Sequence, residues 1–283
     1  MAEKIPKNSI KYYTSKFISL NKERLKDKVV LDIPAGEGDT SRKLKSAGAR
    51  VVPFDIFPEY FDVEGLECSK IDITEGIPVD DSFANFIICE EGIEHFSDQL
   101  STLKEFNRVL NQDGSLIITT PNYSNLQNKL SYLLTESEYF YKILPPNELD
   151  TLWLPTKDSP IYYLGHAFLT GIQRLRFLAK LAGFDIKKIH FARARNTSMF
   201  LLPVLYPMIL ISNLYLYYKG ITKGSGVEKG ADVDAKTRKK IYKEILYHNI
   251  NPKILVDSHL FIEFEKKMEL DEVSSYLSRL RKT

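Results

Sequence analysis

Through the first 120 residues, apolar positions come in short unbroken runs rather than in alternation. KVVLDI (28–33) reads as a strand covered on both faces, and RVVPFD (50–55), the segment around CSKIDI (68–73), FANFIIC (83–89) and SLIITT (115–120) read as the next four strands. Residues 8–25, DTSRKLKSAG (39–48) and 98–110 read as helices. In the last of these Leu100, Leu103, Phe106 and Leu110 share one face, and glycine stops the middle one. NQDG (111–114) reads as a turn into the fifth strand. Strands that alternate with helices predict an α/β fold: a mostly parallel sheet with helices on both faces.

The second half is less regular. Residues 123–165 are rich in aromatic residues, among them Tyr139, Phe140, Tyr141, Trp153, Tyr162 and Tyr163. A helix follows at 169–182, with Leu175, Leu178, Ala179 and Ala182 on one stripe. FDIKKIHFA (184–192) and HLFIEFEKK (259–267) bring the strand count to seven, and a polar helix closes the chain at 269–281. Residues 219–240 read as a Lys/Gly-rich loop. The whole, 1–283, reads as one domain with substrate-side helical insertions at 123–165 and 196–254.

Residues 196–218 carry no charge over 23 positions, long enough to cross a bilayer. A single crossing would strand 259–267 on the far side from its sheet. Pro203 and Pro207 would interrupt a spanning helix, and four tyrosines suit an interface better than hydrocarbon. The expectation is a helical insertion that packs on the domain or forms part of a lid, its apolar face either touching a membrane or a lipid-linked substrate or simply buried, as at a dimer contact.

Composition narrows the class. The chain is 43% hydrophobic and 27% charged, with a formal charge of +2. That balance argues against nucleic acid as the partner. Cys68 and Cys89 form no CxxC pair, which excludes a disulfide framework and thiolate zinc sites and fits a cytoplasmic protein. The N-terminal MAEKIPKNSIKYY has no apolar core of a signal peptide.

Ligands of open α/β sheets bind outside the carboxyl ends of the strands. Here those ends deliver Asp32 with PAGEG, Asp55, Asp72, and Glu90 with Glu91. Gly36 and Gly38 let backbone approach a ligand, and Asp55 can accept both hydroxyls of a ribose. A nicotinamide dinucleotide fits less well: Ser41 stands where its fingerprint needs a third glycine, and pyrophosphate is repelled by the acidic rim of Asp32 and Glu37. S-adenosylmethionine carries a ribose, an ammonium and a sulfonium but no phosphate, and suits an acidic rim.

These segments resemble the class I S-adenosylmethionine-dependent methyltransferases. VVLDIPAGEGDTS is similar to their first motif, FDIFPEY to the acidic second-strand motif, DITEGIPVDDSFANFIIC to the adenine-loop and fourth-strand motif, and RVLNQDGSLIITTPN to the fifth-strand motif. The resemblance implies a Rossmann-like seven-stranded sheet. It implies that Gly36, Gly38, Ala35 and the loop at Pro34 pack on the methionine part, with Glu90 on the same rim. Asp32 would orient the ammonium, Asp55 the ribose and Asp72 the adenine amino group, with Ile56 and Ile73 sandwiching the ring. Pro34 departs from the glycine common in the family.

EEGIEHF (90–96) raises a further question. If a helix starts after the fourth strand, Glu91, Glu94 and His95 share a face. His95 or His166 would then serve as general base for methyl transfer to oxygen, beside Glu91. ExxEH with His166 in GHAF also resembles the small-RNA 3′-end 2′-O-methyltransferases, which implies a divalent metal (Mg or Mn) on Glu91, Glu94, His95 and His166. The remaining alternative is a helix N-terminus enriched in acids by its dipole. His190, His248 and His259 read as structural or surface residues.

The expected activity is O-methylation of a sugar, lipid-linked or other small-molecule acceptor, in the cytoplasm or at the inner face of a membrane. An RNA 3′-end methyltransferase and a non-catalytic nucleoside-binding module are the alternatives.

Overall fold

The computed structural model describes residues 6–7, 9–137, 152–153, 163–164, 168–223 and 233–279. The strands are β1 (Val29–Asp32), β2 (Arg50–Asp55), β3 (Ser69–Lys70), β4 (Ala84–Glu90), β5 (Leu110–Pro121), β6 (Leu152–Trp153), β7 (Tyr163–Leu164), β8 (Phe184–His190) and β9 (His259–Lys266). The helices are α1 (Ile10–Leu20), α2 (Lys22–Leu25), α3 (Asp39–Ser46), α4 (Gln99–Val109), α5 (Leu126–Thr135), α6 (Ile172–Leu181), α7 (Asn196–Lys223), α8 (Ala235–Ile250), α9 (Pro252–Val256) and α10 (Leu270–Arg279).

Seven strands form one sheet in the order β3-β2-β1-β4-β5-β9-β8, while β6 and β7 pair separately. The first five run parallel, and β9 runs antiparallel to both of its neighbours. The unbroken apolar runs have a direct cause. Leu31, Ile87, Leu116 and Ile118 pack with Leu103 and Phe106 of α4 and Leu175 of α6. Their chain neighbours Val30, Ile88 and Ile117 pack on the other face with Phe17 and Ile18 of α1 and Leu44 of α3. Each large side chain so buried contributes about 1.5–3 kcal/mol.

The third strand shortens to Ser69–Lys70. The expected turn at 111–114 is instead a bulge inside β5, with Asp113 at φ 59° and a register shift opposite Ala84/Phe86. At the end of β9, Lys266 is fully buried; its Nζ donates to the Asn107 and Leu110 carbonyls at 2.9 and 2.8 Å and pairs with Glu269 at 2.8 Å.

Between β8 and β9 the chain leaves the sheet to build α7, α8 and α9. The uncharged stretch is a helix, as expected, but it runs unbroken through Pro203 and Pro207. α7 and α8 pack antiparallel. Tyr242 lies over Gly220, where an added Cβ would sit 2.9 Å from the ring, and Asn249 Nδ2 donates to Asn213 Oδ1 at 2.8 Å. Seven residues back along one helix match seven forward along the other. The base of α7 is fixed near the carboxyl edge of the sheet: Arg195 N–H donates to the Val256 carbonyl, and Gln127 N–H to Ser198 Oγ.

Candidate active site

The carboxyl ends of β1, β2 and β4 bring Asp32, Asp55 and Glu90 to one edge. Asp32 is fully buried. Its Oδ2 accepts the Ser41 hydroxyl at 2.6 Å, while Oδ1 is buried with no hydrogen-bond partner. Burial pushes its pKa up to about 8; the Ser41 bond opposes this, and the charges of Glu90 and Asp55 add to it.

The loop after β1 is held from two sides. Ala35 N–H donates to the Phe54 carbonyl, and Gly36 N–H to Asp55 Oδ2 at 2.7 Å. The other oxygen of Asp55 accepts the Phe57 N–H at 2.8 Å. Gly36 has φ +52°, and a Cβ placed there would meet nothing within 4 Å, so open space lies above the loop. Gly38 has φ +88° and abuts Val63 and Phe61; an added Cβ would come within 2.3 Å of Val63. Pro34 touches Gly92, where a Cβ would come 2.3 Å from its ring. Glycine at 92 thus accommodates the proline.

Asp72 caps the short turn Ile73–Glu75: its Oδ1 accepts from Thr74 N–H and Oγ1 at 2.9 and 2.7 Å. Ile56 and Ile73 are half-buried. Glu90 accepts the hydroxyls of Thr14 and Thr40, which ties α1 and α3 to the end of β4. Its pKa is raised by burial.

EEGIEHF does not open an α-helix directly after β4, contrary to the expectation from its spacing. Glu91 takes a left-handed φ of 50°, a single 3-10 turn covers Ile93–His95, and α4 begins only at Gln99 after its Asp98 cap. Glu91, Glu94 and His95 therefore do not share an α-helical face. Glu94 is buried, and burial followed by the Glu91 charge raises its pKa well above the ordinary range. His95 is half-buried. Among the described residues, no three of His, Cys, Asp and Glu are grouped to hold a metal ion. His166 lies outside the described residues. Phe168, two positions on, donates its N–H to the Glu94 carbonyl, and its own carbonyl accepts from Gln99.

Glu91 instead faces His259, a residue the sequence reading had set aside. Its backbone N–H donates to the Thr119 carbonyl and hydroxyl oxygens, and the Thr119 hydroxyl reaches Glu91 Oε1 at 3.2 Å. Glu91 Oε2 lies 3.5 Å from His259 Nε2, and His259 Nδ1 lies 2.9 Å from Ser258 Oγ. His259 opens β9, which runs antiparallel, so the start of this strand reaches the same edge as the ends of β4 and β5. Its register partner is Pro121. Only the strand direction, which a run such as HLFIEFEKK does not reveal, could have placed it there.

The fold and the acid-lined edge define a class. A methyltransferase-domain family matches residues 7–189, and the chain belongs to that family, the class I S-adenosylmethionine-dependent methyltransferases. Over 132 residues it is 28% identical to a ubiquinone/menaquinone biosynthesis C-methyltransferase of Citrifermentans bemidjiense, covering 41% of this chain and 54% of that protein. Over 133 residues it is 29% identical to a ubiquinone biosynthesis O-methyltransferase of Actinobacillus pleuropneumoniae, covering 42% and 55%. The chain thus spans about half the length of the curated relatives it matches. In fold it is similar to an S-adenosylmethionine-dependent methyltransferase from Archaeoglobus fulgidus, with TM-score 0.51, 15% identity, and coverage of 90% and 94%.

The residues present fit the cofactor. The partnerless oxygen of Asp32 is an acceptor waiting for a donor, and the open space over Gly36 admits a ligand where any side chain would intrude.

Proposed function

We propose that this chain transfers a methyl group from S-adenosylmethionine to a hydroxyl oxygen of a small-molecule acceptor. A sugar or lipid-linked compound is the acceptor class we favour. The observation that carries the reading is the Glu91–His259 pair at the edge that also holds Asp32 and Asp55.

When bound, the cofactor would supply an electrophilic methyl group on a sulfonium. Asp32 would accept from its ammonium, Asp55 from the ribose hydroxyls and Asp72 from the adenine amino group, Ile56 and Ile73 would pack on the adenine, and Gly36 would leave room for the methionine part. An acceptor hydroxyl must lie in line with the methyl and lose its proton as the new O–C bond forms. The Glu91–His259 pair takes that proton, and the imidazolium produced stays beside a carboxylate. Ser258 and Thr119 fix the orientation of the two members. A cavity of about 310 Å³ runs along Ile186–Phe191 at the β8 edge, against Tyr247, His248 and Ile254, and reaches His259 at its border. His95 and His166 are the further general-base candidates from the sequence.

Relatives named as a ubiquinone/menaquinone biosynthesis C-methyltransferase and a ubiquinone biosynthesis O-methyltransferase support a small-molecule acceptor. The test is incubation of the protein with methyl-labelled cofactor and a small-molecule extract. The expected product carries the label as a base-stable ether in a low-molecular-weight fraction. Label found only on RNA, on protein or on carbon defeats the reading.

A further inference from the structure

TTPN (119–122), at the end of β5, holds both members of the Glu91–His259 pair, one at each of its ends. At its start, the Thr119 carbonyl accepts the Glu91 N–H and the Thr119 hydroxyl reaches Glu91 Oε1. At its far end, Asn122 grips the segment that leads into His259. Asn122 is fully buried. Its N–H donates to the Ser258 carbonyl at 3.0 Å, and its Nδ2 donates to the Ile254 and Asp257 carbonyls at 2.7 and 2.9 Å. Its Oδ1 accepts the Ser124 N–H at 2.8 Å.

Asp257, also buried, holds the same segment from the side of β8. Its Oδ2 accepts the Ala192 N–H at 2.8 Å, and its Oδ1 accepts the N–H groups of Arg193 at 2.9 Å and His259 at 3.3 Å. The Ser258 N–H donates to the Arg193 carbonyl at 2.8 Å. His259 is the first residue of β9, so its place depends on this segment as much as on the strand it opens. Thr119 and Asn122 stand three residues apart on extended chain, about 10 Å. One stretch of β5 thus sets the place of Glu91 and the place of His259 together.

We infer that Asn122 and Asp257 are positioning residues for the pair: they fix where Ser258 and His259 emerge against Glu91, and they act on the reaction through the imidazole. This inference rests on the proposed methyl transfer to oxygen. Asn107 supplies the comparison with a purely structural role. It too is fully buried, and its Nδ2 also donates to two backbone carbonyls, Ala182 at 2.8 Å and Met268 at 2.9 Å. Its own carbonyl accepts from Lys266, at the other end of β9. The two asparagines make the same kind of bonds and differ in the segment they hold.

The test compares Asn122→Ala with Asn107→Ala, using methyl-labelled cofactor and a small-molecule extract well below the melting temperature. Both variants should keep the wild-type far-UV circular dichroism and S-adenosylhomocysteine affinity, and both should lose Tm. Asn122→Ala should transfer the label about 10- to 100-fold more slowly than wild type, whereas Asn107→Ala should keep the wild-type rate. Asn122→Ala combined with His259→Gln should be no slower than His259→Gln alone, because the first acts through the second. A further readout needs no acceptor. In NMR of protein carrying isotope-labelled histidine, the His259 signal, identified by its loss in His259→Gln, should move on Glu91→Gln. That movement should shrink in the Asn122→Ala background and persist in Asn107→Ala. If Asn122→Ala does not fold, Asp257→Asn loosens the same segment and takes its place in both measurements. Equal rates for the two alanine variants, or a His259 signal as responsive to Glu91→Gln in Asn122→Ala as in wild type, overturns the inference. A wild-type protein that labels no small molecule defeats the proposed reaction instead, and the NMR comparison then still decides whether Asn122 sets the pair.

Discussion

Asp55 and Gly36 stand nineteen residues apart and are joined by a 2.7 Å hydrogen bond from the glycine N–H to Oδ2 of the carboxylate. Because Oδ1 holds the Phe57 N–H, this one side chain sets both the loop after β1 and the turn after β2. Asp55→Ala strands two N–H groups at a cost of about 1–3 kcal/mol each if they stay dry. The expected result is a loss of roughly 2–4 °C in Tm for each kcal/mol, together with loss of S-adenosylhomocysteine binding. Asp55→Asn keeps one oxygen acceptor and should recover much of the stability but little of the binding. Equal recovery of both would separate Asp55 from the ribose.

Asp32 makes a prediction about protons. Its folded-state pKa, about 8, lies above the ordinary 3.8. The folded protein therefore keeps a proton that the unfolded chain gives up, and this group lowers stability as pH rises from about 4 through about 8. Asp32→Asn should flatten that decline, leaving the free variant at least as stable as the wild type at pH 8. A cofactor ammonium favours the carboxylate form, so binding at pH 7 should release up to about one proton. Calorimetry of S-adenosylhomocysteine binding in buffers of different ionisation heat measures it. Binding with no proton release would remove the ammonium from Asp32.

The Glu91–His259 pair should matter for turnover and not for holding the cofactor. Glu91→Gln and His259→Gln are each expected to lower methyl transfer by about 10²–10⁴-fold, with little change in S-adenosylhomocysteine affinity. The double variant should be scarcely worse than either single one, since the two act as a unit. Additive losses would mean that they work separately.

Lys266 tests the frame behind the site. Its ammonium is buried on two backbone carbonyls and one carboxylate. Lys266→Ala leaves both carbonyls without this donor and should destabilise the fold by about 1–3 kcal/mol for each that stays dry, read by urea unfolding. A loss below about 1 kcal/mol would mean that water replaces the ammonium freely.

The centre of the sheet was legible because burial on both faces leaves unbroken apolar runs, as in β1, β4 and β5, whereas the edge strands β3 (two exposed residues) and β8 (with Asp185, Lys187 and Lys188) carry no such run. The acids at 32, 55 and 90 were legible because a strand's end fixes where the next residue emerges. Spacing was a poorer guide within EEGIEHF. Glu91 adopts a left-handed conformation and the chain makes only one 3-10 turn, so i, i+3, i+4 spacing did not produce a helical face. Glu90 looks like a ligand-facing acid in sequence, but Thr14 and Thr40 from distant helices occupy it. His259 and Lys266 were illegible for a related reason. Each takes its meaning from partners more than 130 residues away, Glu91 for one and Asn107 for the other, and no local pattern encodes such a pairing.

The position of β9 ties assembly to chemistry. It is the last of the seven strands to leave the ribosome, yet it sits between two that were made earlier, and its first residue is His259. If the Glu91–His259 pair has the role proposed for it, a nascent chain would carry Asp32, Asp55 and Glu90 well before it carried the proton acceptor, and would be silent as a catalyst until the final strand slots into the gap.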